Sequence, residues 1–237
     1  MALSHLLTDL QKQKNQQRAK ILQRFFKTGK GEYGEGDVFW GIMVPQQRAT
    51  SIKHLDLSLK EIAQALKSPV HEVRLSALLI LVHQYKIGST TQKEKIFKLY
   101  TTHTKHINNW DLIDLTAPHI VGDYLFNKKR EILYTFARSN DVWKKRIAIL
   151  STYMFIKNKR YTDTLQIAKI LLHDSHDLIH KAVGWMLREV GKKDLPTELR
   201  FLNKHAHTMP RTMLRYAIEK LPQQMRVKYL KQKSEFK

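Results

Sequence analysis

Ser68-Pro69-Val70-His71-Glu72-Val73-Arg74-Leu75-Ser76-Ala77-Leu78-Leu79-Ile80-Leu81-Val82 is the stretch on which the fold turns. Ser-Pro marks a break, and beyond it Leu75, Leu78, Leu79 and Val82 recur at the spacing that puts side chains on one face of an α-helix. Ile147, Leu150, Tyr153 and Met154 repeat the pattern, and strict alternation over a strand length is hard to find. Turn signals separate such segments at Gly88-Ser89, Asn108-Asn109, Ser139-Asn140-Asp141, Asp174-Ser175, Pro210 and Pro222, several of them reading as N-caps. The chain is therefore expected to be all-α.

Laid over one another, the segments share a grammar. Ser68-Pro69 leads to Glu72-Val73-Arg74-Leu75-Ser76-Ala77, Asn140-Asp141 to Lys145-Arg146-Ile147-Ala148, Asp174-Ser175 to His180-Lys181-Ala182-Val183-Gly184, and Pro210 to Leu214-Arg215-Tyr216-Ala217. The basic residue opening each second helix falls at 74, 146, 181 and 215. The differences of 72, 35 and 34 make one period of about 35, with a copy between the first two where Asp114 stands. Paired helices at that period predict a HEAT-like α-solenoid of antiparallel helix pairs around a concave basic groove, since the Trp, Gly and Tyr pattern of TPR repeats is not apparent. In that arrangement Arg74, Arg146, Lys181 and Arg215 would line one channel.

The domain expectation is a single unit over 1–237: N-terminal helices and a Gly-rich loop over 1–50, repeats over about 51–222, and a basic tail over 223–237. Leu3, Leu6, Leu7 and Leu10 give the first helix a core-facing stripe rather than the charge-then-apolar order of a signal peptide. With 42 Lys+Arg against 21 Asp+Glu, the formal charge is +21 and is spread along the whole length. Such a charge opposes compaction unless a polyanion offsets it, so nucleic acid is the leading partner. Membrane surface comes second, but the longest apolar run, Leu75 to Val82, is interrupted by Ser76 and falls short of the roughly 20 residues of a bilayer span, so no membrane partner is expected. The absence of Cys excludes disulfides and thiolate metal sites and fits a reducing cytoplasm.

Two motifs are set aside. Gly29-Lys30-Gly31-Glu32-Tyr33-Gly34 matches G-x-G-x-x-G, yet a helix precedes it where a dinucleotide fold needs a strand, and no Walker-type ending follows; we read it as a loop near the substrate. His176 and His180, four apart with His173 nearby, resemble the zinc-protease helix, but Asp177 replaces its general-base Glu and no third ligand follows, so no metal is expected. A Gly-x-Ser-x-Gly elbow is missing too.

What remains is an acid among aromatics in a basic chain. Trp110 and Asp114 are four apart, as are Lys181 and Trp185, with Arg188 three residues further on, so on helices each set shares a face. On a polyanion-binding surface, one carboxylate and two indoles suit glycosidic-bond chemistry. The plainer alternatives are an acid at a helix start or an ion pair of Asp114 with Arg146, tryptophans used for packing, and cations that form a solvated face.

Longer matches sharpen the reading. Phe25 through Arg48 (Phe25-Phe26-Lys27-Thr28-Gly29 to Val44-Pro45-Gln46-Gln47-Arg48) resembles the N-terminal signature of the AlkD-like DNA alkylation repair family. Trp110-Asp111-Leu112-Ile113-Asp114 with Gly122-Asp123 resembles its catalytic segment. Trp143 to Leu150 and Lys181 to Glu189 resemble its next two repeats, so the matches are collinear from about residue 20 to 195. The resemblance implies a HEAT-like fold and a DNA glycosylase that removes cationic alkylated purines, chiefly 7-alkylguanine and 3-alkyladenine, from duplex DNA. It also implies roles: Asp114 as the catalytic carboxylate, Trp110 and Trp185 flanking the lesion's deoxyribose, Arg146 on the backbone. Lys145, Lys181, Arg188, Arg74, Arg215 and Phe25 complete the DNA-binding set. The chain departs from the family pattern where Phe25 replaces Tyr and Met154 replaces Lys.

The expected protein is thus a monofunctional glycosylase, without metal or organic cofactor, a monomer acting on the nucleoid in the cytoplasm. A non-catalytic DNA-binding member of the same family is the second reading, and a protein-interaction scaffold the third.

Overall fold

A computed structural model describes residues 2–231. Among these residues it is helical, with one isolated parallel bridge between Val38 and Val70 and no strand. Two compact units divide the chain, Met1–Thr116 and Ala117–Lys237.

The first unit carries α1 (Ala2–Gln11), α2 (Gln16–Phe25), α3 (Val44–Ser51), α4 (Leu59–Leu66), α5 (His71–Ile87), α6 (Thr90–Thr102) and α7 (Trp110–Asp114). α5 is its centre: thirteen of its seventeen residues are buried, and it packs on α3, α4, α6 and α7. A helix apolar nearly all round belongs inside. Each fully buried side chain such as Leu78 contributes about 1.5–3 kcal/mol of apolar transfer. Leu6 and Leu10 of the predicted N-terminal stripe are fully buried as well, while Leu3 and Leu7 are half-buried.

The second unit carries α8 (Asp123–Leu125), α9 (Glu131–Ala137), α10 (Val142–Ser151), α11 (Tyr153–Lys157), α12 (Thr162–Ile170), α13 (Asp177–Lys193), α14 (Leu195–His205), α15 (Arg211–Ala217) and α16 (Gln223–Lys231). A π-helical turn, Pro118–Gly122, precedes α8. α13 is the hub, packed on α10, α11, α12, α14 and α15. Gly184 lets α15 close on it, since a Cβ there would lie 2.4 Å from the Met213 carbonyl and 2.6 Å from Tyr216 Cβ. The segment read as a basic tail begins with α16, which docks through Tyr229, whose hydroxyl donates to Asn203 Oδ1 at 2.8 Å. Residues 232–237 of that segment lie outside the described residues.

Capping explains where helices begin. Ser58 and Glu61 cap α4 reciprocally, Ser89 accepts from the Gln92 amide, Asn109 from the Trp110 amide, and Asp141 from those of Trp143 and Lys144. α13 is capped by His176 Nδ1, with Asp174 accepting from the His176 amide, so this helix starts three residues after the turn acid.

The period of about 35 is visible as register. Arg146, Lys181 and Arg215 are each the fifth residue of α10, α13 and α15, Asp114 is the fifth of α7, and Arg74 is the fourth of α5.

Candidate nucleic-acid interface

In the first unit the interface is built around α7. This helix has five residues, too few to persist without tertiary support. Its N-cap Asn109 is fully buried, accepting from the Trp110 amide at 2.8 Å and donating through Nδ2 to Asp37 Oδ2 at 3.2 Å. Asp111 turns inward to His71, with Oδ2 at 2.8 Å from Nε2, and accepts the Leu112 amide on Oδ1. Trp110 and Asp114 turn the other way and are both half-buried. The indole stacks on Phe26, with centroids 5.1 Å apart and planes 12° apart, and meets the edge of Phe25 at 5.9 Å. Phe25 itself is 62% exposed at the end of α2, a helix with no buried residue. Asp114 also faces Tyr100, whose hydroxyl is pushed up chiefly by its burial and further by that carboxylate.

The Gly-rich loop feeds this arrangement through its last residue. Asp37 accepts from Arg74 at 2.6 Å and lies 3.1 Å from His71 Nδ1. Burial works against its ionised form, but His71, Arg74 and Asn109 outweigh it and hold the carboxyl below the usual range. For His71, burial favours the neutral ring, yet Asp111 and Asp37 prevail and raise it to about 9. Glu72 secures the chain after the loop, accepting from the Trp40, Gly41 and Ile42 amides. Gly41 is needed there, with φ of 80° and a would-be Cβ 2.1 Å from the Asn15 carbonyl. Within the loop, Glu32 and Glu35 accept the Gly29 and Gly31 amides at 2.8 Å. The loop thus occupies its own donors instead of presenting them to a nucleotide phosphate, in keeping with the rejection of the G-x-G-x-x-G match.

In the second unit the predicted residues sit on or beside α13. Lys181, Trp185 and Arg188 share one face, as their spacing requires. Trp185 is half-buried, its Nε1 donating to Glu189 Oε1 at 3.1 Å. The cations are paired: Lys181 with Asp177 at 2.7 Å, Lys145 with Asp174 at 2.6 Å, and Arg188 with Glu219 and Glu189. Arg215 is exposed.

Two of the predicted DNA contacts are buried side chains. Arg74 is 3% exposed, and its guanidinium is spent on Asp37 and on the Ser68 and Pro69 carbonyls. It anchors the loop and has no surface to offer a phosphate. Arg146 is 5% exposed and donates to the Leu178 carbonyl at 2.6 Å, tying α10 to the start of α13. Equal register along the helices therefore does not yield one row of exposed charge. What the sequence reading missed is the buried set Asp37, His71, Asn109 and Asp111. A hint was present in His71-Glu72 and Arg74, three polar residues opening a helix whose next stretch, Leu75 to Val82, is apolar but for Ser76. Histidines 176 and 180 serve structure, the first as the α13 cap and the second bonded to the Asp174 carbonyl, and no group of potential metal ligands forms among the described residues.

The sequence model of one protein family, described as "DNA alkylation repair enzyme", matches residues 6–221. The chain belongs to the DNA alkylation repair enzyme family. As the AlkD-like resemblance of its sequence implied, its solved relatives share the fold at low identity. It resembles a predicted DNA alkylation repair enzyme from Enterococcus faecalis at 17% identity and a TM-score of 0.70, covering 89% of this chain and 98% of that one. It also resembles AlkD2 from Streptococcus mutans at 14% identity and a TM-score of 0.54, covering 86% of this chain and 97% of that one. No protein of curated function matches it. In this family member the matched span holds α7 and α13 alike, and with them Trp110, Asp114, Trp185 and Arg188. Met154, one of the two departures, is half-buried with its Cβ near Gly122, where a glycine Cβ would come within 3.1 Å. No described helix is long and apolar enough to cross a membrane.

Proposed function

We propose that this protein is a monofunctional alkylpurine DNA glycosylase of base excision repair, hydrolysing the N-glycosidic bond of 7-alkylguanine and 3-alkyladenine in duplex DNA. The observation that carries the reading is the pairing of Trp110 and Asp114 on one short helix, both partly exposed, with the indole held in a stack. An alkylated purine already bears positive charge and departs without a general acid, so the barrier lies in forming an oxocarbenium-like sugar. A carboxylate beside that sugar stabilises the developing cation and orients a water, and each indole face adds about 1 kcal/mol of attraction. Asp114 is assigned the first role, Trp110 and Trp185 the second.

The polyanion is met by a chain of net charge +21. Lys145, Lys181, Arg188 and Arg215 are assigned to phosphates and the exposed Phe25 ring to the duplex surface. The chemistry requires neither metal nor organic cofactor, and we read the protein as a monomer acting on the nucleoid in the cytoplasm. With Asp114→Asn, release of 7-methylguanine from methylated duplex is expected to fall at least about 100-fold with duplex affinity retained; equal release by the variant refutes the assignment. Phe25 and Met154 favour a second reading, a DNA-binding member without excision. Wild-type protein that binds duplex with a steep salt dependence and releases no base establishes that one instead.

A further inference from the structure

His71 lies between two carboxylates. Nδ1 is 3.1 Å from Asp37 Oδ2 and Nε2 is 2.8 Å from Asp111 Oδ2, and all three side chains are almost fully buried. A neutral imidazole has one N–H, whereas two ionised carboxylates facing two ring nitrogens need two donors. With Arg74 on Asp37, the cluster balances two negative against two positive charges. These are the ionic groups that face the ring: Asp37 from the loop, Asp111 from α7 and Arg74 from its own helix; Glu72 is turned to the Trp40–Ile42 amides.

The ring faces matter equally. His71 stacks on Phe39 at 4.6 Å and 20° and lies 4.9 Å from Phe26, which in turn stacks on Trp110. Two routes therefore run from this one side chain to α7, a hydrogen bond to Asp111 and an aromatic column ending in Trp110.

We propose that His71, as an imidazolium, is the positioning residue of the site: by bridging Asp37 and Asp111 it ties the Gly-rich loop to α7 and fixes where Trp110 and Asp114 point. Its effect on base release rests on the glycosylase reading; its effect on α7 does not. The raised proton affinity of the ring, to about 9, agrees with the bridge.

The test uses the full chain labelled with 5-fluorotryptophan, the Trp110 resonance being assigned with Trp110→Phe. His71→Phe keeps a ring and removes both donors. It is expected to shift or broaden the Trp110 resonance and to lower 7-methylguanine release at least about 10-fold at unchanged duplex affinity. Asp111→Asn, which keeps its shape and an acceptor oxygen, is expected to fold and to show the same changes on a smaller scale. In the wild type, ¹⁵N shifts of the His71 ring are expected to report two protonated nitrogens up to pH 8. An unmoved Trp110 resonance in both variants overturns the proposal, and so does a ring that is neutral at pH 7.5. Wild-type protein that releases no base removes the glycosylase reading alone, because the fluorine and nitrogen signals still decide the bridge.

Discussion

α7 and α13 hold the predicted residues of their respective units by opposite means. α7 is five residues long and is fastened from below by buried charge: Asn109 and Asp111 reach Asp37 and His71. α13 is seventeen residues long, the most heavily packed element of its unit, and its own acids Asp177 and Glu189, with Glu219 from beyond it, form ion pairs at or near the surface. The lesson concerns where electrostatics counts. A short helix gains definition from partners that water cannot reach, whereas surface pairs add little to a long helix that packing already secures.

The largest effect is expected from Asp37→Leu. It leaves the His71 imidazolium and the Arg74 guanidinium buried without their shared carboxylate, and should cost about 3–5 kcal/mol in urea denaturation. A loss under about 1 kcal/mol would erase the contrast between the two helices.

Next comes a pH dependence. Because the folded-state affinity of His71 for its proton is raised to about 9 from 6.5, its contribution is fully present below pH 6.5 and is lost as the pH rises through about 9. That contribution is on the order of 3 kcal/mol, to be read from urea midpoints across the window.

Glu198 sharpens the comparison within the second unit. Its carboxyl is raised to about 8 by burial, Arg188 opposing, and Oε1 finds no hydrogen-bond partner among the described residues. The folded state therefore prefers the neutral acid, an advantage intact below about pH 4.5 and gone once the pH has passed about 8. Glu198→Gln, neutral at every pH, should raise Tm at pH 8 and leave it nearly unchanged at pH 4.5, measured by calorimetry. The smallest effect is expected from Glu219→Gln. Releasing Arg188 from a surface pair should change stability by less than about 1 kcal/mol and tighten duplex binding slightly at low salt.

Much of the fold was legible because helices announce themselves locally. Apolar spacing located α5 and α13, turn residues located their starts, and the i,i+4 spacing of Trp110 and Asp114 already implied a common face. Long-range pairing was not legible. The register that aligns Arg74, Arg146, Lys181 and Arg215 fixes position along a helix, but whether a guanidinium meets water depends on residues distant in sequence. Arg74 is claimed by Asp37, thirty-seven positions away, and Arg146 by the carbonyl of Leu178. For the same reason His71 passed unnoticed: its second carboxylate, Asp111, is forty positions away. α16 was hidden by its composition, since a stretch rich in Lys, Gln and Arg reads as tail until Tyr229 is seen to be buried.

Gly191 lies so close to Glu198 that a Cβ would fall 1.7 Å from Oε2. The two positions therefore share one volume. A methyl group at 191 requires the carboxyl end of Glu198, the far end of a flexible side chain, to swing aside. What one position accepts thus depends on the rotamer that the other side chain adopts.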